Sequence, residues 1–134
     1  MSTEEHAPAG GPGDGIGPTI GVIGLGSIGD GVAASVHAAG LPLVVCDVRA
    51  EATDRHAQYA TVGVSPAEVA KIADVVVVAV VNDEQVHAVL SGPDGALAAG
   101  GTGTTFVVVS TITAACVALC LRLRLDDRPA MQAA

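Results

Sequence analysis

No tryptophan occurs in the 134 residues, and Tyr59 and Phe106 are the only other large aromatic side chains. With half of the residues hydrophobic, the core must be built from Val, Ala, Ile and Leu. Such a core suits a buried parallel sheet, whose strands read as unbroken β-branched runs because helices cover both faces. Positive charge is scarce too: six Lys and Arg stand against fourteen Asp and Glu, a net charge of −8. That excludes a nucleic-acid partner, which needs a basic stripe to displace counterions from phosphate. The three cysteines, Cys46, Cys116 and Cys120, are odd in number and form no CxxC, so neither a disulfide framework nor a zinc site is expected. Cys116 and Cys120 lie one helical turn apart and read as small apolar residues on a buried helix face. A reducing, cytoplasmic setting fits this usage. His6, His37, His56 and His87 show no metal-ligand spacing, and no GxxxxGK[ST] loop is present to hold a triphosphate.

The N-terminus lacks the basic start and apolar stretch of a secretory signal, and residues 1–18 read as an acidic, Gly- and Pro-rich disordered leader. No charged residue occurs between Gly95 and Leu121, a stretch longer than the roughly 20 residues that span a bilayer. Its glycines and the central Ser110-Thr111-Ile112-Thr113 fit a loop, a strand and a helix start instead, so no membrane span is expected. The length allows one small domain.

Alternating periodicities predict strands and helices in turn, as in a parallel α/β sheet. Strands are expected at Thr19–Ile23, Leu43–Asp47, Thr61–Val64, Val75–Val81 and Thr105–Val109. Helices are expected after the first glycine turn to Ala39, more weakly over Ala50–Ala60, over Pro66–Ala73, after Asn82 to Leu90, and as a short turn at Ala96–Ala99. Ser65-Pro66-Ala67-Glu68 has the makings of a capping box, with Pro66 at the first helical position. No internal repeat is present, and residues 122–134 form an atypical tail.

The string IGLGSIGDG carries GxGxxG at Gly24, Gly26 and Gly29. The first glycine allows the tight strand-to-helix turn, the second lets a pyrophosphate approach bare backbone, and the third lets the helix lie close on the strand. The N–H groups of Ser27 and Ile28 then open the helix at its positive end. A lone GxGxxG is weak in a chain with 17 glycines. Here it follows a strand, opens a helix, and precedes a strand ending in Asp47, near the spacing of about 20 residues expected for an acid that reads the ribose. The carboxylate favours NAD, while Arg49, just past it, keeps NADP open. An FAD-binding unit is the rival nucleotide reading, although such folds more often place Glu at this position.

In these residues the chain resembles the N-terminal domain of the β-hydroxyacid dehydrogenases, the group that includes 3-hydroxyisobutyrate dehydrogenase and tartronate semialdehyde reductase. The matching stretches are IGVIGLGSIGDGVAASVHAAG, VCDVRAEA, SPAEVAKIADVVVVAVVNDEQVHAVLSGPDGALAAG and VVVSTIT. The resemblance implies a three-layer Rossmann-type domain over residues 19–121, truncated after about five strands. It implies that Gly24, Leu25, Gly26, Ser27, Ile28 and Gly29 hold the pyrophosphate and Asp47 the ribose. Val80 and Val81 would pass the cofactor, in place of the family's usual Leu-Pro, and Gln85 would touch the dinucleotide. Thr111 would stand near the nicotinamide, and Ser110 would bind the substrate's acid group. The family's catalytic Lys lies on an interdomain helix; the one lysine here, Lys71, precedes the VVVV strand and matches nothing in that role. No catalytic residue is therefore assigned. A small hydroxyacid is expected as substrate only if another domain completes the site, with self-association or a partner chain to cover the surface. The alternative is a non-catalytic nucleotide-binding or assembly module.

Overall fold

A computed structural model of the chain describes residues 16–101 and 103–109. Its first strand, β1 (Ile20–Ile23), leads through the glycine turn into α1 (Ser27–Ala38). Next come β2 (Leu43–Cys46), α2 (Ala50–Asp54), the two-residue β3 (Thr61–Val62) and α3 (Pro66–Ile72). The chain continues through β4 (Val75–Val78), α4 (Asp83–Ser91), α5 (Ala96–Ala99) and β5 (Thr105–Val108). The strands form one parallel sheet in the order β3-β2-β1-β4-β5. Connections from β1 thus run first to one side, through β2 to β3, and then return across it to β4 and β5. At this reversal a crevice lies outside the carboxyl ends of β1, β2 and β4.

The pleat divides the strand side chains between two cores. Val22, Leu43 and Val45 face α1 and α2, packing with Leu25, Ala33, Ala52 and Ala60. Ile23, Val44, Cys46, Val76 and Val78 face α3, α4 and α5, packing with Val69, Val86, Leu90 and Leu97. Helices therefore cover both faces, and β2, buried at every position, shows the unbroken LVVC run that a central parallel strand requires. Burying each Val contributes about 1.5–3 kcal/mol, which lets a core with almost no aromatic surface hold together.

Two caps set where helices begin. Ser65 Oγ accepts from the N–H of Glu68 at 3.2 Å, and Glu68 Oε1 accepts in return from the N–H of Val64 at 3.0 Å, closing the box expected ahead of α3. Asn82 Oδ1 accepts from the N–H of Gln85 at 2.9 Å and starts α4. Three elements are shorter than the sequence predicts by two residues or more, among them β3, which ends at Val62 rather than Val64. Helix α2 stops at Asp54, and residues to Tyr59 continue as tight turns in which His56 N–H reaches Thr53 O and Tyr59 N–H reaches His56 O. Strand β4 stops at Val78 rather than Val81, because its neighbours β1 and β5 have ended and no ladder partner remains. Residues 1–15 and 110–134, with Ser110, Thr111, Cys116, Cys120 and the tail, lie outside the described residues. Among the described residues no helix is long and apolar enough to cross a membrane.

Candidate functional site

Gly24 leaves β1 with φ +95°, a conformation that disfavours side chains, and an added Cβ would stand 2.4 Å from Ala79 O. The end of β4 is therefore packed directly against the turn. Gly29 lies under the same turn: a Cβ there would come within 1.7 Å of Gly24 O, so only a bare backbone lets α1 lie this close. Gly26 is different. A Cβ built on it meets nothing within 4 Å and would project into open space.

That space is a groove of about 480 Å³ lined by Gly24, Gly26, Asp47, Val80, Val81 and Gln85 together with apolar side chains. It opens on the start of α1, whose first helical bond runs from the N–H of Asp30 to Gly26 O at 2.8 Å. The N–H groups of Ser27, Ile28 and Gly29 consequently have no partner within the helix, and Gly26 offers no side-chain cap. Unspent donors, the positive end of a twelve-residue helix and a gap beside a bare backbone suit an anion. The residues present thus fit a dinucleotide pyrophosphate.

Asp47 stands at the end of β2 with its side chain only 7% exposed. Its Oδ2 accepts from the N–H of Leu25 at 2.7 Å, and its Oδ1 from the N–H of Arg49 at 2.8 Å. The Arg49 guanidinium adds Nε to Oδ1 at 3.0 Å and Nη2 to Oδ2 at 3.2 Å. Burial pushes this carboxyl upward, but the bonds from the Arg49 side chain and from the Leu25 and Arg49 amides, with the Arg49 charge, hold it below its ordinary value. Asp47 is therefore a carboxylate at neutral pH, held against the glycine turn. Cys46, one residue earlier, is buried, and desolvation with the charges of Asp47 and Glu68 pushes its thiol up to about 11, which keeps it unreactive.

The structure places six of the expected site residues, Gly24, Gly26, Asp47, Val80, Val81 and Gln85, around one groove, with different roles for some. Leu25 is fully buried in the α1-side core, and its backbone is spent on Asp47 and on the arginines rather than facing the groove. Gln85 lines the groove while its Oε1 accepts from the N–H of Val81 at 2.9 Å, which steadies the link from β4 to α4. Val81 is exposed at the rim. Val48, Val64, Pro66, Ala79, Ala88 and Val89 also line the groove and were not singled out from the sequence. A signal for them exists, since each follows the carboxyl end of a strand, opens α3, or lies one turn beyond Gln85 on α4. Lys71 sits in the last turn of α3, at the opposite end from Pro66. Among the described residues no cluster of His, Cys, Asp and Glu could hold a metal ion.

Residues 19–120 match the family profile described as the NAD binding domain of 6-phosphogluconate dehydrogenase. A curated L-threonate dehydrogenase from Cupriavidus necator is 45% identical over 94 residues, which are 69% of this chain and 32% of that protein. Among solved structures, 3-hydroxyisobutyrate dehydrogenase from Salmonella typhimurium superposes with a TM-score of 0.70 at 33% identity, covering 81% of this chain and 39% of that one. The 3-hydroxyisobutyrate dehydrogenase of Mycobacterium tuberculosis, solved with L-serine, gives a TM-score of 0.71 at 28% identity, over 81% of this chain and 37% of that one. The chain spans about a third of the length of the curated relative it matches.

Proposed function

The chain belongs to the NAD-binding-domain family of 6-phosphogluconate dehydrogenase, and from that footing we propose that it supplies the cofactor half of an oxidoreductase acting on a small hydroxyacid. The observation that carries this reading is the groove in which Gly26 faces open space while Asp47 is clamped beside it. The first-turn amides of α1 and Gly26 hold the pyrophosphate. Asp47 accepts from the adenosine ribose, and Val64, Ala88 and Val89 give the adenine an apolar wall. Val80, Val81 and Gln85 border the path toward the nicotinamide end. When bound, the nicotinamide supplies hydride transfer; the protein's own part is placement, electrostatics and exclusion of water.

L-threonate and 3-hydroxyisobutyrate, named for the relatives above, set the substrate class: a small acid bearing a hydroxyl. Ser110 and Thr111, which follow Val109 in the sequence, are assigned to the substrate's acid group and the nicotinamide on resemblance alone. The binding unit spans residues 19–121 and works in a reducing cytoplasm. A second copy or a partner chain covers the apolar side chains of Val107 on β5 and of Val109 just after it, which are 41% and 37% exposed. Sedimentation across concentrations should therefore show association, and a monomer throughout would remove that part of the reading. The main test is calorimetric titration of the full chain with NAD. One saturable site, competed by adenosine monophosphate, is expected; no binding by NAD or NADP at millimolar concentration refutes the assignment.

A further inference from the structure

The opening of α1 has little of its own to hold it. Gly26 provides no side-chain cap, Ser27 and Ile28 are exposed, and Gly29 has no side chain. The next buried side chain along the helix is Ala33. Asp30 closes the first turn, its N–H donating to Gly26 O at 2.8 Å, and its carboxylate is held from outside the helix. His56, 3% exposed, places Nε2 at 2.7 Å from Asp30 Oδ1, and Arg55 Nη2 lies 3.4 Å from the same oxygen. An ionised carboxylate can only accept, so Nε2 carries a proton and donates; in the neutral ring Nδ1 then accepts from Tyr59 O–H. The His56 backbone is fixed in turn, since its N–H donates to Thr53 O and its carbonyl accepts from the N–H groups of Tyr59 and Ala60. Tyr59 also stacks on His37, with ring centroids 3.8 Å apart. Asp30 and His37 are separated by about two helical turns and so share a face of α1. The turn at 56–59 grips that face at two points, and the Asp30 point lies beside the unpartnered amides. Neither Asp30 nor His56 is among the described residues that line the groove, so both act from behind the turn.

We propose that His56 is a positioning residue for the pyrophosphate seat: through Asp30 it holds the first turn of α1 in the orientation that aims the N–H groups of Ser27 and Ile28 into the groove. The inference rests on the dinucleotide reading above and names what keeps its anion seat in shape. A glycine-bordered turn without a side-chain cap frays readily, and re-forming it on binding costs anion affinity. The bond from His56 to Asp30 is charge-assisted and buried at its His56 end, which makes it a strong single restraint on that turn. Asp30 also brings negative charge to the end of α1 that receives the anion. His56 and Arg55 take up that carboxylate on the side of the 55–59 turn, so a group that would repel the ligand serves instead to fix the helix start.

The test is titration of the full chain and its variants with NAD and with adenosine, which lacks the pyrophosphate, alongside amide hydrogen exchange and thermal melts. His56→Gln keeps a donor where Nε2 stands, whereas His56→Asn keeps only the Nδ1 side. His56→Asn should bind NAD about five- to tenfold more weakly and adenosine within about twofold of the unaltered chain. Its Asp30 amide should exchange about tenfold faster. His56→Gln should recover most of the NAD affinity. Equal losses for NAD and adenosine, or unchanged NAD affinity in folded His56→Asn, overturn the proposal. Should His56→Asn not fold, two variants at the partly exposed Asp30 decide the matter. Asp30→Asn and Asp30→Ala both remove the charge, but only Asp30→Asn keeps an acceptor for His56. Asp30→Ala should therefore bind NAD about fivefold more weakly than Asp30→Asn, and equal affinities overturn the proposal. In a double-mutant cycle, adding His56→Asn to Asp30→Ala should change NAD affinity by less than about twofold; additive losses would show that His56 does not act through Asp30. If the unaltered chain binds no dinucleotide, the dinucleotide reading itself falls. Faster exchange of the Asp30 amide would then mark a helix support with no anion to position, and the proposal falls with the reading.

Discussion

Gly26 and Gly29 share one turn yet answer to different constraints, and substitution should separate them. Nothing stands within 4 Å of a Cβ at Gly26, and its φ of −74° suits any residue. Gly26→Val should therefore fold with nearly unchanged thermal stability while losing dinucleotide binding, because the side chain fills the space a pyrophosphate needs. Retained affinity in a folded Gly26→Val variant would move the ligand elsewhere. Gly29→Ala presses a Cβ to 1.7 Å from Gly24 O, and relieving that clash means prising α1 from the sheet. A loss on the order of 3 kcal/mol in denaturant unfolding is expected. At Asp47 the folded pKa is lowered, so its contribution is fully present above the ordinary carboxylate value of about 3.9 and is lost as pH falls through the lower folded value. Asp47→Asn should flatten the acid limb of a stability-versus-pH curve; an unchanged limb would show that the clamp contributes nothing to folding. Motif and acid were legible because the chain's own spacing places them. The grip of Arg49 and Arg55 was not, since it depends on how loops after β2 fold back over Leu25.

Elements followed their local signals wherever those signals were strong. Asn82, Ser65 and Pro66 mark helix starts through short-range bonds that any context preserves, and both caps form. The departures at α2 and β4 arise from tertiary contacts. The buried His56 ring, 4% exposed, lies between Asp30 and Tyr59, and drawing it inward winds the chain into turns where helical periodicity pointed onward. The VVVVAVV run reads as one strand, yet Ala79 makes the last contact to β1, through Ile23 O, before the chain leaves the sheet. Sequence cannot show where a neighbouring strand runs out. Helix α4 carries Val86 and Leu90 into the core and lines the groove with Gln85, Ala88 and Val89. Asn82→Ala, which removes its cap, should cost about 1 kcal/mol in unfolding experiments and weaken dinucleotide binding through a loosened groove wall. Loss of stability with unchanged affinity would mean that α4 borders the ligand without holding it.

For the whole molecule the question is how much of a reaction these residues can perform. Removing hydride from an alcohol carbon leaves a hydroxyl proton to be taken, and a positioned base contributes about 10²–10⁴ in rate. Lys71, the one lysine, lies five residues along α3 from the groove-lining Pro66, about 7.5 Å down the helix axis at a rise of 1.5 Å per residue. It is exposed at the end away from the groove. Among the described residues, the ionisable groups that line the groove are Asp47, Arg49 and Cys46, a paired carboxylate, a guanidinium and a thiol pushed up to about 11, and none of these is suited to take that proton near neutral pH. The chain also spans about a third of the relative that carries the activity's name, so substrate placement would have to come from elsewhere, with effects on rate as large as those of the base. The 134 residues by themselves should bind cofactor yet produce no NADH absorbance with L-threonate, 3-hydroxyisobutyrate or glycerate. Turnover that disappears in Ser110→Ala but survives Lys71→Ala would show that the chain holds a base of its own, and the assignment of cofactor placement alone would be wrong.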